Sequence, residues 1–148
     1  MLMTTFATRL LALSGLAMAI PAPPLVDNAL EIRASTKVDP NAVTGTTCTD
    51  AAAKIDTHDM NVATLGICGG IQGTIQKCNG APKSTVGQSG TAKFTLNPTD
   101  SGATINVSKG RWEGCIRAAR ATCPTGSFSS TCVGGASQGN IAFTLTNP

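Results

Sequence analysis

Trp112, Cys115, Ile116, Ala119 and Cys123 are spaced so that all five fall on one stripe of a helix. Ser108 stands before them as an N-cap, and Pro124 and Gly126 follow as stop signals. An earlier stretch has similar spacing. Cys68, Ile71, Ile75 and Cys78 predict one face of a first helix within residues 60–80, with Asp56, Thr57, His58 and Asp59 offering the cap. Gly69, Gly70 and Gly73 each weaken that helix by about 1 kcal/mol relative to alanine, yet let another backbone approach closely. Asn79-Gly80 and then Pro82 end it.

Elsewhere the period is two. Ala92, Phe94 and Leu96 alternate with Lys93 and Thr95, and Ala103, Ile105 and Val107 alternate again after a turn at 98–102. Together they predict a β-hairpin. Ile141, Phe143 and Leu145 face inward on a last strand, with Ala142, Thr144 and Thr146 outward. Residues 42–48, rich in Thr and Val, predict a short first strand. Residues 124–140 read as a Ser/Gly-rich loop tied down by Cys132 and carrying an exposed Phe128. The order βαββαβ predicts an α+β fold: a two-layer α/β sandwich of the split βαβ, ferredoxin-like kind, with both helices on one face of a four-stranded antiparallel sheet. Right-handed crossovers place the first strand and the hairpin's second strand in the centre, with the last strand on an edge.

The N-terminal residues have a different composition. Residues 1–19 hold Arg9, a short apolar run and Ala17-Met18-Ala19, the pattern of a secretory signal cut after Ala19. Residues 20–33 are proline-rich and should be extended; ending in Leu30-Glu31-Ile32-Arg33, they resemble the short pro-segment of fungal secreted proteins, which implies trimming after Arg33. A single domain then covers 34–148 and contains all six cysteines: Cys48, Cys68, Cys78, Cys115, Cys123 and Cys132. An even number in a small secreted domain predicts three disulfides. The expected topology brings Cys48 near Cys132 and sets Cys68 and Cys78 opposite Cys115 and Cys123. It favours Cys48–Cys132, Cys68–Cys115 and Cys78–Cys123, although spacing alone does not choose among pairings. Zinc is disfavoured, because there is no Cys-x-x-Cys and His58 is the only histidine. No metal or cofactor is expected.

Within residues 34–148 the aromatic residues are Phe94, Trp112, Phe128 and Phe143, with no tyrosine. Loss of the leader removes Arg9, Arg33, Asp27 and Glu31, so the net charge stays at +3. That is far from the dense basic patch of a dedicated nucleic-acid binder. The basic residues do cluster on the second helix. Lys109, Arg111, Arg117 and Arg120 give it a cationic outer surface suited to an acidic glycan, a membrane surface or an acidic protein. Glu113 stands four residues before Arg117, the favoured order for a surface ion pair. Asn106-Val107-Ser108 is an N-glycosylation sequon.

The signal, the short pro-segment, six cysteines, few aromatics and the βαββαβ order together resemble the small secreted cysteine-rich effectors of plant-associated fungi. More narrowly, they resemble the α/β-sandwich effectors that share a fold with the killer toxins of smut fungi. The resemblance lies in architecture and composition across the whole chain, and it brings no catalytic residue with it. It implies an extracellular protein that acts on another cell through binding or toxicity. The first reading is a secreted, non-enzymatic protein, expected as a monomer, that binds an extracellular component of a host or competitor cell. The enzymatic alternative is a small hydrolase such as a ribonuclease, which needs a carboxylate base, a histidine acid and an arginine on the phosphate. Glu113, His58 and Arg117 or Arg120 are the residues available for it. An antimicrobial secreted protein is a third reading.

Overall fold

A helix begins at Thr57 because Asp56 turns its carboxylate back to accept hydrogen bonds from the His58 and Asp59 amides, at 2.8 and 3.2 Å. This helix, α1, covers Thr57–Leu65 and then stops. The computed structural model describes residues 38–71 and 77–148, and 38–148 form one unit. The expected signal and pro-segment, and Ile75, lie outside the described residues. Past α1 the chain makes a short 3₁₀ turn, Ile67–Gly69, in which Cys68 adopts φ 55°. The helix predicted through Cys68 and Cys78 is therefore corrected. A helix rises about 1.5 Å per residue, which would hold those two cysteines roughly 15 Å apart. They are instead disulfide-bonded with their Cα atoms 5.3 Å apart. α1 ends at Leu65 with Gly66 as its C-cap, and Gly69 and Gly70 fall at the end of the 3₁₀ turn that follows; Gly73 lies outside the described residues.

The second helix, α2, covers Lys109–Thr122, capped by the Ser108 hydroxyl, which accepts from the Arg111 amide at 3.2 Å. Its predicted stripe holds: Trp112, Cys115, Ile116, Ala119 and Cys123 are all buried. Five strands complete the described fold: β1 Val43–Asp50, β2 Thr85–Ser89, β3 Ala92–Pro98, β4 Ser127–Cys132 and β5 Ile141–Thr146. They form one antiparallel sheet in the order β1-β4-β5-β3-β2. The α+β class and the two-layer arrangement stand, but the order is βαββαββ. The four-stranded split βαβ sheet is corrected by two strands, β2 and β4. Because β4 lies between β1 and β5, the first strand is an edge and the last strand is central.

The hairpin is also different. β3 pairs with β2 across the two-residue turn Gly90-Thr91, not with residues 103–107. Ala103, Ile105 and Val107 are buried, as their alternation requires. Their backbone bonds are scattered over separate loops: the Ile105 amide donates to Pro82 O, the Asn106 amide to Gly135 O, and Val107 O accepts from the Cys78 amide.

Both helices cover one face of the sheet. α1 lies over β2 and β3, with Gly87 of β2 at the point of closest approach. A Cβ there would collide with the carbonyl oxygen of Ala63. α2 lies over β4 and β1 and inserts Trp112 between Phe94 and Phe143, edge to face, with both centroid distances 5.1 Å. Phe128 meets Phe143 the same way at 5.8 Å. All four aromatic rings of residues 34–148 thus form one cluster. The end of α1 leaves the Thr64 carbonyl without an intrahelical donor, and the Trp112 indole N–H supplies one at 2.9 Å. The other face of the sheet carries hydroxyls, with Thr95, Thr144, Ser129 and Thr47 in register across four strands.

Three disulfides tie the layers: Cys48–Cys123, Cys68–Cys78 and Cys115–Cys132. None of the three favoured pairings forms. Cys48 is on the inward side of β1, under the C-terminal end of α2. Cys132 belongs to a strand beneath Cys115. The ring closed by Cys68–Cys78 nests inside that of Cys48–Cys123, which overlaps the third.

A carboxylate anchors the β2–β3 turn to α1. Asp59 accepts from both the amide and the hydroxyl of Thr91, each at 2.8 Å. These two bonds, with a smaller contribution from His58, hold its carboxyl below the ordinary aspartate range. A depressed folded-state pKa stabilises fully above the unfolded value of about 3.9, and the gain disappears as pH falls through the lower folded value. Asp59→Asn is therefore expected to be less stable than wild type at pH 7. The gap in urea midpoint should close below pH 4. A gap that does not change with pH would show that Asp59 acts by shape alone.

Candidate functional site

The cations of α2 have separate environments. Lys109 pairs with Glu113 at 3.1 Å, so the carboxylate expected to meet Arg117 turns back one helical turn instead. Arg111 is exposed and donates through Nη1 to Val133 O at 2.8 Å. Arg120 closes the C-terminal end of the helix. Its Nη1 donates to Cys123 O at 3.0 Å and Gly126 O at 2.8 Å, and its guanidinium lies 5.4 Å from the centre of the Phe128 ring. Burial lowers its pKa from the usual arginine value, and it remains a cation. Phe128, expected on an exposed loop, is an inward residue of β4 and is 0% exposed.

Arg117 has a different environment. Its guanidinium folds back along α2 over Gly114. Its Nε is buried with no hydrogen-bond partner among the described residues. It stands in the wall of a cleft of about 320 Å³ between the two helices. α1 contributes Met60, Asn61, Thr64 and Leu65; α2 contributes Glu113, Ile116, Arg117 and Arg120. The cleft floor is aliphatic and thioether, and Leu65 remains 38% exposed. A second recess, about 560 Å³, shares Met60 and Arg120 with the first and runs on past Ile55 and Pro124.

The structure thus brings Arg117 and Arg120 together and sends Lys109 and Arg111 elsewhere. His58 is exposed in the first turn of α1 and lines neither recess. Asn106 is exposed. The parts of the cleft missed by sequence reading are Met60, Leu65 and Ile116, which lie in a short helix and on the shoulder of α2's buried stripe. No sequence signal marked them, because Leu65 becomes an exposed apolar side chain only where α1 ends.

Among the described residues, no cluster of three or more His, Cys, Asp or Glu side chains suits a metal ion, and no helix is long and apolar enough to cross a membrane. The chain matches no protein-family model, and none of the curated proteins matches it.

Proposed function

We propose that this is a secreted, disulfide-stapled binding protein, of the kind found among small fungal effectors and toxin-like proteins. It acts on a component of a host or competitor cell without enzymatic chemistry. One observation carries this reading: a cleft with an apolar floor on the helical face has Arg117 in its wall, a cation whose Nε has no hydrogen-bond partner among the described residues. The residues considered for a ribonuclease support it from the other side. Glu113 is engaged by Lys109, Arg120 holds the end of its own helix, and His58 lines neither recess. Three disulfides suit an oxidising compartment.

The test uses the full chain, expressed through a eukaryotic secretory pathway. Export with a new N-terminus at Ile20 or Ala34 is expected. Labelled protein applied to leaf cells and yeast should bind one of them saturably, and Arg117→Ala should remove that binding. RNA hydrolysis or cell damage that disappears in a folded His58→Ala variant would overturn the reading in favour of the hydrolase.

The same material tests the sequon. The exposed Asn106 is expected to carry a glycan removable by endoglycosidase and absent in Asn106→Gln. Ser108→Thr should keep both the glycan and the helix cap. Ser108→Ala should lose both, the cap costing about 1 kcal/mol. An unmodified mass for the wild-type protein would refute glycosylation.

A further inference from the structure

We infer that the cleft between α1 and α2 binds a long-chain fatty acid, with the carboxylate on Arg117 and the chain laid along Ile116, Leu65 and Met60. The inference rests on reading this cleft as the binding site. Four features select the ligand class. First, the floor is made of two branched aliphatic side chains, Leu65 and Ile116, and the Met60 thioether, with no aromatic ring among the lining residues. It therefore offers apolar contact but no platform for stacking a sugar or a base. Second, the cleft walls are two helices whose main-chain groups are largely bonded within the helices. An extended peptide finds few backbone partners there, whereas an alkyl chain needs none.

Third, the head-group position is set by Arg117. Its Nε has no partner among the described residues, so turning the guanidinium towards a ligand breaks no bond of that nitrogen. Nε and one Nη together present the planar fork that a carboxylate matches with two parallel bonds. Glu113 lines the same mouth, so a monoanion is tolerated better than a phosphate dianion. Fourth, a second recess lies beside the cleft, lined in part by the same Met60 and Arg120, and it adds Ile55 as a further apolar contact for a linear chain. Arg120 serves as wall, because its Nη1 is already shared between Cys123 O and Gly126 O.

The probe is dodecanoate, titrated calorimetrically into the disulfide-bonded protein below the micelle concentration. Dodecanol, butyrate and anionic vesicles are run alongside. Saturable one-to-one binding of dodecanoate is expected. A charge-assisted bidentate pair is worth a factor of about ten or more in affinity, so dodecanol and the Arg117→Gln variant should each be weaker by at least that. Leu65→Ser, at a half-exposed position, should also weaken binding, while Lys93→Gln on the opposite face of the sheet should not. Butyrate should not bind. Equal affinity for dodecanol, an unchanged Arg117→Gln variant, binding to vesicles alone, or no binding would each overturn the fatty-acid site. If dodecanoate fails but Arg117→Ala still abolishes cell binding, the ligand is wrong and the cleft stands. If both fail, the reading of the cleft as a binding site fails with them.

Discussion

Trp112→Ala is expected to remove about 3–5 kcal/mol of folding free energy, much of what a domain of this size has. Three losses coincide at this position. The indole is fully buried within the aromatic cluster, so its removal leaves a cavity bounded by Phe94 and Phe143. Both edge-to-face contacts disappear. The Thr64 carbonyl at the end of α1 loses its donor, and a buried unsatisfied acceptor costs about 1–3 kcal/mol. Trp112→Phe separates these terms, since it restores most of the volume but not the N–H. Urea unfolding followed by circular dichroism, with the disulfides intact, should rank wild type above Phe and Phe above Ala. An alanine variant within 1 kcal/mol of wild type would show that the two helices do not depend on this residue for their docking.

The second large effect concerns the disulfides. Cross-links that close longer loops remove more entropy from the unfolded chain. For separations of 75, 17 and 10 residues, the loop-entropy relation gives about 4.5, 3.1 and 2.7 kcal/mol for Cys48–Cys123, Cys115–Cys132 and Cys68–Cys78. Cys115 and Cys132 are both fully buried, so replacing that pair with alanine also loses packing. Paired Cys→Ala variants should therefore lose least at Cys68–Cys78 and clearly more at the other two. Thermal melts of the three variants check the order, and non-reducing peptide mapping checks the pairs. A Cys68–Cys78 variant that melts lowest would mean that the segment after α1 organises the fold, rather than following it.

Periodicity was most legible where one side chain after another meets the same apolar layer. α2, β3 and β5 meet that condition: the buried positions of β3 and β5 match the pattern, and those of α2 include the whole predicted stripe with Ala118 in addition. β4 does not. Its inward residues are Phe128, Ser130 and Cys132, and the middle one is a buried hydroxyl sharing a 2.6 Å hydrogen bond with Thr46. A polar residue on the inner face made the segment read as loop. β2 failed for another reason: its central inward residue is Gly87, where the partner is α1's own backbone, so no side chain marks the face. Residues 103–107 show the converse. Their alternation located the buried side correctly, but a ladder needs one neighbouring strand, and their bonds go to separate loops. At Arg117 the sequence supplied a partner, Glu113, at ideal spacing. Lys109 stands at the same spacing on the other side and holds the carboxylate, which helps leave Arg117 facing a cleft built by a helix the pattern had drawn too long.

The overlapping cross-links also have a consequence for proteolysis. Every peptide bond from Cys48 to Cys132 lies inside at least one closed covalent ring, because the Cys48–Cys123 and Cys115–Cys132 rings share the stretch from Cys115 to Cys123. A single cut anywhere in that span opens a ring but releases no fragment. A nicked molecule keeps its mass apart from one added water, keeps α2 fastened to both β1 and β4, and falls into pieces only on reduction. Two cuts in suitable places, or one cut and a reductant, are needed before any part of the stretch from Cys48 to Cys132 is lost.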